Sequence, residues 1–128
     1  MKRILFLMIV LCVTGLASAQ QKEASITVVG DAIHDFGDIN EAGGPVVHNF
    51  TVLNNGELPL VISRVIASCG CTQPEWTKEP IAPGKTGNIK VSYDPTGRQG
   101  EVVQKTISVY SNGKTGNYVL TIKGNVKQ

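Results

Sequence analysis

Apolar and polar residues alternate with a period of two along much of this chain, which is the pattern of half-buried β-strands. Between Thr86 and Tyr93, for example, Ile89 and Val91 fall on one face and Lys90 lies between them on the other. Turn signals rich in glycine, asparagine and proline separate the alternating stretches. The pattern predicts seven short strands, at residues 25–29, 32–39, 46–53, 58–67, 86–93, 102–110 and 118–122.

The residue composition favours the same structure. From residue 20 onward the 109 residues include 13 Val, 9 Ile and 9 Thr, against only 4 Leu and 5 Ala. β-Branched side chains lose rotamer freedom in a helix and pack well on a pleated surface. Glycine and proline recur too often to leave a long window for a helix. We therefore predict an all-β fold, an immunoglobulin-like two-sheet antiparallel sandwich of about seven strands.

The first 19 residues follow a different pattern. Lys2 and Arg3 precede an unbroken apolar run from Ile4 to Val13, and small residues then lead to an A-x-A sequence that ends at Ala19. This is the pattern of a secretory signal peptide, and the run is shorter than the roughly 20 residues of a membrane-spanning helix. We expect a signal peptide at 1–19, a single immunoglobulin-like domain at 20–128, and a periplasmic or extracellular location.

Cleavage after Ala19 changes the charge and the cysteine content. The mature chain would hold 10 basic and 10 acidic residues and two of the three cysteines. A domain without net charge is a poor candidate for binding nucleic acid or an anionic membrane surface. We therefore expect a protein partner, with no nucleic acid and no membrane span, and we expect no cofactor.

Cys69-Gly70-Cys71 is the one constellation in the chain that suggests chemistry. In an extended strand, residues i and i+2 share a face with Cα atoms about 6.6 Å apart, near the upper limit for a disulfide. A bridge between these cysteines therefore requires a tight bend, which Gly70 permits. Such a bridge would be strained, and strained bridges are more easily reduced.

Three interpretations of the cysteine pair remain open. The first is structural, as a local disulfide or as two buried thiols that hold the bend. The second is a thiol redox site, although the C-x-x-C spacing that lowers a thiolate pKa is missing. The third is soft-metal binding, of Cu(I) or Zn²⁺, for which zinc would need two further ligands. Only His34 and His48 could supply them, and both are distant in sequence, so no metal ligands are assigned.

The segment after the cysteines has no clear period, and we predict an irregular loop from Thr72 to Pro80. It carries the polar or charged residues Thr72, Glu75 and Lys78 beside Trp76. An aromatic side chain on such a loop suggests a partner-binding site. The alternative, which we favour, is that Trp76 folds back and caps one end of the sandwich.

The two histidines lie on predicted strands, where surface or satisfied core positions are the common outcome. A pH switch or a ligand role is the minority interpretation. Neither His34 nor His48 has a serine or cysteine nucleophile at a motif spacing, so no triad follows from the sequence. We therefore do not expect an enzyme, apart from the thiol–disulfide activity that the cysteine pair would allow.

Short motifs along the chain resemble a known family, with the cysteine segment as the most specific of them. They are Asp35-Phe36-Gly37-Asp38-Ile39, Val47-His48-Asn49-Phe50-Thr51, Ser68-Cys69-Gly70-Cys71-Thr72, Ile81-Ala82-Pro83-Gly84-Lys85 and Ile89-Lys90-Val91-Ser92-Tyr93. Together they resemble the secreted bacterial family catalogued as domain of unknown function 1573, especially its short single-domain members from the Bacteroidetes. The resemblance implies an immunoglobulin-like sandwich akin to hydin-like and major-sperm-protein-like modules.

The resemblance implies no activity, because the family has none established, and its relatives are mostly binding or scaffolding domains. We expect an exported, non-enzymatic binding or structural module of the cell envelope, with an envelope or extracellular protein as its partner. The alternative function is thiol redox chemistry or soft-metal handling through Cys69-Gly70-Cys71.

Overall fold

Eight strands form two four-stranded sheets in the computed structural model, which describes residues 22–128. The predicted signal peptide lies outside the described residues. The strands are β1 (Ile26–Val28), β2 (Ile33–Asn40), β3 (Val46–Asn54), β4 (Ile62–Ala67), β5 (Thr72–Trp76), β6 (Thr86–Tyr93), β7 (Val102–Ser111) and β8 (Asn117–Lys127). A short 3-10 turn at Glu41–Gly43 connects β2 to β3.

The two sheets have the strand orders β1-β3-β6-β5 and β2-β8-β7-β4, and we call them the first and the second sheet. All neighbouring strands are antiparallel except β2 and β8, which run parallel with Ile33 opposite Thr121. The prediction of an all-β sandwich is confirmed, with one parallel pair that the sequence pattern did not predict.

The core lies between the sheets and follows from the alternation. On β6, Ile89, Val91 and Tyr93 are fully buried, while Lys90 points to solvent. On β7, Val103, Ile107 and Val109 are buried in the same way, as are Leu120 and Ile122 on β8. Successive side chains on a strand point to opposite faces, so one apolar face per strand is enough to build the core.

The predicted strand at 58–67 divides into two parts. Leu60 is fully buried and exchanges two hydrogen bonds of 2.8 Å with the main chain of Ile81, beside the first sheet. From Ile62 the chain pairs with β7 in the second sheet, and the register shifts by one residue between Ile62 and Arg64. The apolar run is continuous because the chain is buried in both positions, so composition alone did not show that it changes sheets.

One end of the sandwich closes around the side chain of Asn54, which is fully buried. Its Nδ2 donates hydrogen bonds to the carbonyl oxygens of Leu58 at 2.7 Å and Ile81 at 2.8 Å. Its Oδ1 accepts from the amides of Gly56 at 3.0 Å and Ser25 at 3.4 Å. The carboxamide therefore links β3 to the turn that follows it, to the approach to β6 and to the N-terminal segment.

Gly56 sits where the N-terminal segment crosses this turn. A Cβ atom at that position would lie 2.5 Å from the Ser25 nitrogen and 2.7 Å from the Ala24 carbonyl carbon. Both atoms belong to the main chain and cannot move aside as a side chain would. Glycine is therefore needed at Gly56 for close backbone approach.

We expect Asn54→Ala to lower the free energy of unfolding by about 2–4 kcal/mol, because it leaves buried main-chain groups without partners. Urea denaturation followed by tryptophan fluorescence measures the change. Asn55→Ala is the matched control, since the Asn55 side chain is exposed and only its main-chain amide is bonded, to Ser25. Equal stability of the two variants would contradict the role given to Asn54.

Candidate functional site

The two cysteines are joined to each other in a disulfide at the connection between β4 and β5. Their Cα atoms are 5.2 Å apart, closer than two alternate residues of an extended strand. The chain turns at Gly70 and Cys71, so the predicted tight bend is present. The bridge is compatible with both the structural and the thiol redox interpretation.

The two cysteines differ in exposure. Cys71 is buried, with its Sγ 3.6 Å from Thr72 Oγ1, whereas Cys69 is half-buried. The Cys71 amide donates a hydrogen bond of 3.1 Å to Cys69 Sγ. Of the two residues, Cys69 is therefore the more exposed.

Gly70 does not have the backbone conformation that requires glycine. Its φ is not positive, and a Cβ atom added to it would meet nothing within 4 Å. The bend would therefore accept other residues. What glycine provides at Gly70 is an uncovered approach to the bridge beside it.

An open cleft of about 270 Å³ lies beside the bridge. Its lining residues come from the cysteine turn, β5 and the loop between β6 and β7, and are Gly70, Cys71, Gln73, Asp94, Thr96 and Arg98. Asp94 Oδ1 accepts hydrogen bonds from Thr96 Oγ1 at 2.7 Å and from the Thr96 amide at 3.0 Å. These bonds lower the pKa of Asp94 and keep a negative charge at the rim.

A second group of charged residues holds the loop between β6 and β7. The carboxylate of Glu101 lies 2.8 Å from Lys105 Nζ and 3.1 Å from a guanidinium nitrogen of Arg98. The hydrogen bond from Lys105, followed by that from Arg98, lowers the pKa of Glu101. The side chain of Tyr93 lies close to this group. Burial raises the pKa of its hydroxyl, and the charge of Glu101 raises it further. Arg98 is therefore anchored by Glu101 while it lines the cleft.

The segment predicted as a partner-binding loop is a strand over most of its length. Thr72–Trp76 is β5 and pairs with β6, so the prediction of an irregular loop from Thr72 to Pro80 is wrong there. Thr72 is buried, and Glu75 is exposed opposite Lys90. Pro74 and the polar residues beside it hid the strand, because proline weakens a strand signal.

Trp76 is half-buried and packs against the core. Lys78, which is exposed, places its Nζ 3.0 Å from the centre of the indole ring, close enough for a cation–π contact. Trp76 therefore packs against the core as part of the edge strand β5, and it does not fold back from a loop over one end of the sandwich.

His34 and His48 meet at the edge where β2 faces β3. Their rings are stacked with centroids 3.6 Å apart and planes within 7° of parallel. Phe36 contacts His34 edge-on, and Phe50 contacts His48 in the same way, each at 4.6 Å. Burial, and then the charge of His34, lowers the pKa of His48. This stack could not be predicted from the spacing of the two histidines, because they lie on strands of different sheets.

The histidines and the cysteines lie at opposite margins of the sandwich. β2 and β4 are the two edge strands of the second sheet, and β8 and β7 separate them. Within residues 22–128, no three histidine, cysteine or acidic side chains are grouped so that they could hold a metal ion. The structure therefore does not bring His34 and His48 to the cysteine pair as zinc ligands.

The outer face of the second sheet carries exposed apolar side chains that sequence reasoning did not single out. Ile33, Ile66 and Val119 are 47%, 44% and 49% exposed. Serine and threonine residues lie between them on the same face. The registers place two adjacent rows across the sheet, namely Ile66, Ser108 and Val119, then Thr106, Thr121 and Ile33. We call these six residues the outer band.

Solved structures share this architecture. A protein of unknown function from Porphyromonas gingivalis W83 matches with a TM-score of 0.70 and 14% identity, over 87% of this chain and 51% of that one. The VesB protease of Vibrio cholerae matches with a TM-score of 0.59 and 17% identity, over 83% of this chain and 32% of that one. The secreted serine protease VesC of the same organism gives 0.55 and 18%, over 84% and 24%. The chain thus spans about half of the first protein, and these likenesses define a β-sandwich domain.

The family is defined by the sequence. The model of DUF1573, described as a protein of unknown function, matches residues 18–126. The chain therefore belongs to the DUF1573 family, as the motif resemblance predicted.

No protein of curated function matches it. In residues 22–128 there is no helix with the length and apolar character needed to cross a membrane.

We expect the stability of the sandwich to fall between about pH 8 and pH 5, in part through His48. A lowered folded-state pKa means that this contribution is complete above the unfolded pKa of 6.5 and is lost as the pH falls through the folded value. Urea midpoints across this range measure the loss. Asp94 and Glu101 have pKa values below 3.8 and 4.5, so they stay ionised in this range.

His48→Phe is the matched variant, because it keeps an aromatic ring at the stack and removes the titrating group. Its urea midpoint should depend less on pH than that of the unaltered protein. An unchanged pH dependence would show that the histidine stack contributes nothing to it.

Proposed function

We propose that this chain is an exported, non-enzymatic binding module of the cell envelope whose partner is an envelope or extracellular protein. The observation that supports it is the outer band on the second sheet. A single exposed apolar residue is ordinary on a protein surface, but a group of them on one face is typical of a contact site.

The outer band has the composition of a protein contact surface more than of a solvated sheet face. Its two rows hold three aliphatic side chains and three hydroxyl side chains, and no charge. Charged residues are depleted at the centre of protein interfaces, and neutral hydroxyls can be desolvated at lower cost than charges. A partner with an apolar surface would therefore bury this band at little electrostatic cost.

Photocrosslinking in intact cells tests the binding role. A photoreactive phenylalanine analogue at Val119 should yield a discrete adduct with another envelope protein. The same analogue at Lys90, exposed on the first sheet, is the control and should not yield that adduct. Loss of the Val119 adduct in an Ile66→Glu background would place the contact on the outer band. Adducts of equal yield at both positions would contradict the proposal.

Export is tested separately by the N-terminus of the protein recovered from cells. Cleavage after Ala19 should give a chain that begins at Gln20 and fractionates with the periplasm or the medium. An intact N-terminus in the cytoplasmic fraction would contradict export.

Thiol–disulfide exchange is the second candidate. It is favoured by a disulfide in which Cys69 is half-buried and Cys71 lines an open cleft. An external thiolate would attack Cys69 Sγ, form a mixed disulfide with it and release Cys71 as the thiolate. The second thiol of the same dithiol reductant would then attack the reductant's sulfur in the mixed disulfide and release Cys69 as the thiolate. The reductant leaves oxidised to its own disulfide, and both cysteines are reduced. Arg98 lines the cleft with Cys71, and a nearby cation stabilises a thiolate.

Thiol counting by alkylation and intact mass decides between a structural bridge and an exchanging one. For an exchanging bridge, we expect two alkylated cysteines after incubation with a mild dithiol and none without it. Arg98→Gln should slow the reduction, whereas Lys85→Gln, an exposed residue at the other end of β6, should not. Two cysteines that stay blocked at every dithiol concentration would leave only the structural role. Repeating the count with added Cu(I) tests the metal alternative.

A further inference from the structure

The four edge strands of the sandwich differ in how easily they could accept another strand. Edge strands expose unpaired main-chain groups, and natural proteins commonly block them with proline, bulges or short length. The sheet orders identify β1 and β5 as the edges of the first sheet and β2 and β4 as those of the second. Three of these four edges carry such a block along the paired strand, whereas the register shift of β4 lies before Arg64.

β1 is only three residues long. β2 is interrupted by a register shift between Asp35 and Asp38, where Gly37 has a φ of +69°. β5 carries Pro74 at its centre. The bonding pattern with β6 leaves Pro74 facing the open side, because the amide of Thr77 bonds to Asn88 and alternate residues bond inward. Pro74 therefore removes a donor from the free edge without breaking the ladder.

β4 has none of these blocks from Arg64 to Ala67. The Ser68 amide donates to the carbonyl oxygen of Thr106 at 3.0 Å, and this bond sets the alternation. Arg64 and Ile66 then bond to β7, while Val65 and Ala67 direct their amide and carbonyl groups to the open side. Within residues 22–128, no main-chain or side-chain hydrogen bond reaches Val65 or Ala67 from that side.

The side chains beside this edge indicate which strand would fit. Arg64 and Ile66 point to the outer face, and Ile66 is the β4 end of the outer band. The guanidinium carbon of Arg64 lies 4.4 Å from the centre of the Tyr110 ring on β7, so the charge stays on the outer face, over the strand next to the edge. No carboxylate of the described residues pairs with Arg64. A partner strand would be matched by a carboxylate beside Arg64 and an aliphatic residue beside Ile66.

We propose that β4 accepts an extended segment of a partner protein, which adds to the second sheet as a fifth strand. The segment carries an acidic residue and a β-branched residue two positions apart, so that both lie on the outer face. Its main chain pairs with the free groups of Val65 and Ala67. This inference rests on the proposed binding function and names the edge and the partner chemistry.

A synthetic peptide tests the edge directly. The probe is a blocked peptide of about nine residues that alternates threonine and valine, with one central glutamate on the valine face. Added to the ¹⁵N-labelled mature protein, it should shift the amide signals of Val65 and Ala67 and leave unchanged that of Trp76, which faces the open side of the blocked β5 edge. Shifts confined to other surfaces, or none at millimolar peptide, would overturn the inference.

Two variants separate backbone pairing from other contacts. Ala67→Pro removes an outward amide that β7 does not use, as Pro74 does on β5, and should weaken binding by about tenfold or more. Ile66→Lys keeps every main-chain bond and should also weaken binding, since lysine blocks edges. It serves if the proline variant does not fold. Unchanged affinity in a folded variant of either kind would overturn the inference.

Charge exchange tests the acidic partner. Replacing the glutamate of the probe by lysine should weaken binding by about two- to fivefold, and Arg64→Glu should reverse that preference. An equal affinity for both peptides would overturn the assignment of an acidic segment.

Two further outcomes separate this inference from the proposed function. If the signals of Val65 and Ala67 shift on concentrating the protein without peptide, the occupant is a second copy, and the assignment to a partner is overturned. A Val119 adduct in cells combined with a negative peptide result would support the binding function and overturn only the inference about the β4 edge.

Discussion

One whole end of the sandwich depends on the hydrogen bonds of the buried Asn54 carboxamide. Four chain segments meet there: the end of β3, the turn after it, the N-terminal segment and the approach to β6. The main chain of Asn54 adds bonds of 3.0 Å to Lys85 and 2.8 Å to Gly84. Turns bring polar main-chain groups toward an apolar interior, where each unpaired group is costly. An amide side chain can offer both donors and acceptors at one point, which no aliphatic residue could do.

The opposite end of the sandwich is held by different interactions. The β4–β5 connection is held there by a covalent bridge between neighbouring cysteines, and the loop before β7 is held by the ion pairs of Glu101. Those groups are partly exposed, so solvent weakens their electrostatic contribution. One end is therefore closed by a buried hydrogen-bond centre, while the other carries the disulfide beside an open cleft.

Much of the fold could be predicted from the sequence, because apolar alternation reports directly on burial. It located β3, β6 and β7 to within one residue, and it located the start of β8, which continues five residues past the predicted end. It failed for β5, since Pro74 and Glu75 lie on an edge where pairing needs no apolar face. It also could not show where the run at 58–67 leaves one sheet for the other.

The candidate sites were less predictable than the strands, since they depend on which strands become neighbours. The cysteine bridge is local, and its bend could be expected from the spacing alone. The stack of His34 on His48 and the outer band join residues from strands that are distant in sequence. In the sequence, Ile66 and Val119 look like ordinary strand residues. Only the strand pairing shows that they lie in one row of the outer face, on either side of Ser108.

The parallel pairing of β2 with β8 has a consequence for how the protein is made. Ile33 finds its partner only at Thr121, on the last strand of the described residues. During synthesis, β2 therefore has no strand to pair with until almost all of the sandwich has been made. Contacts between such distant residues slow folding, because a long loop must close before they form. The topology thus delays completion of the second sheet until the last of the described strands is available.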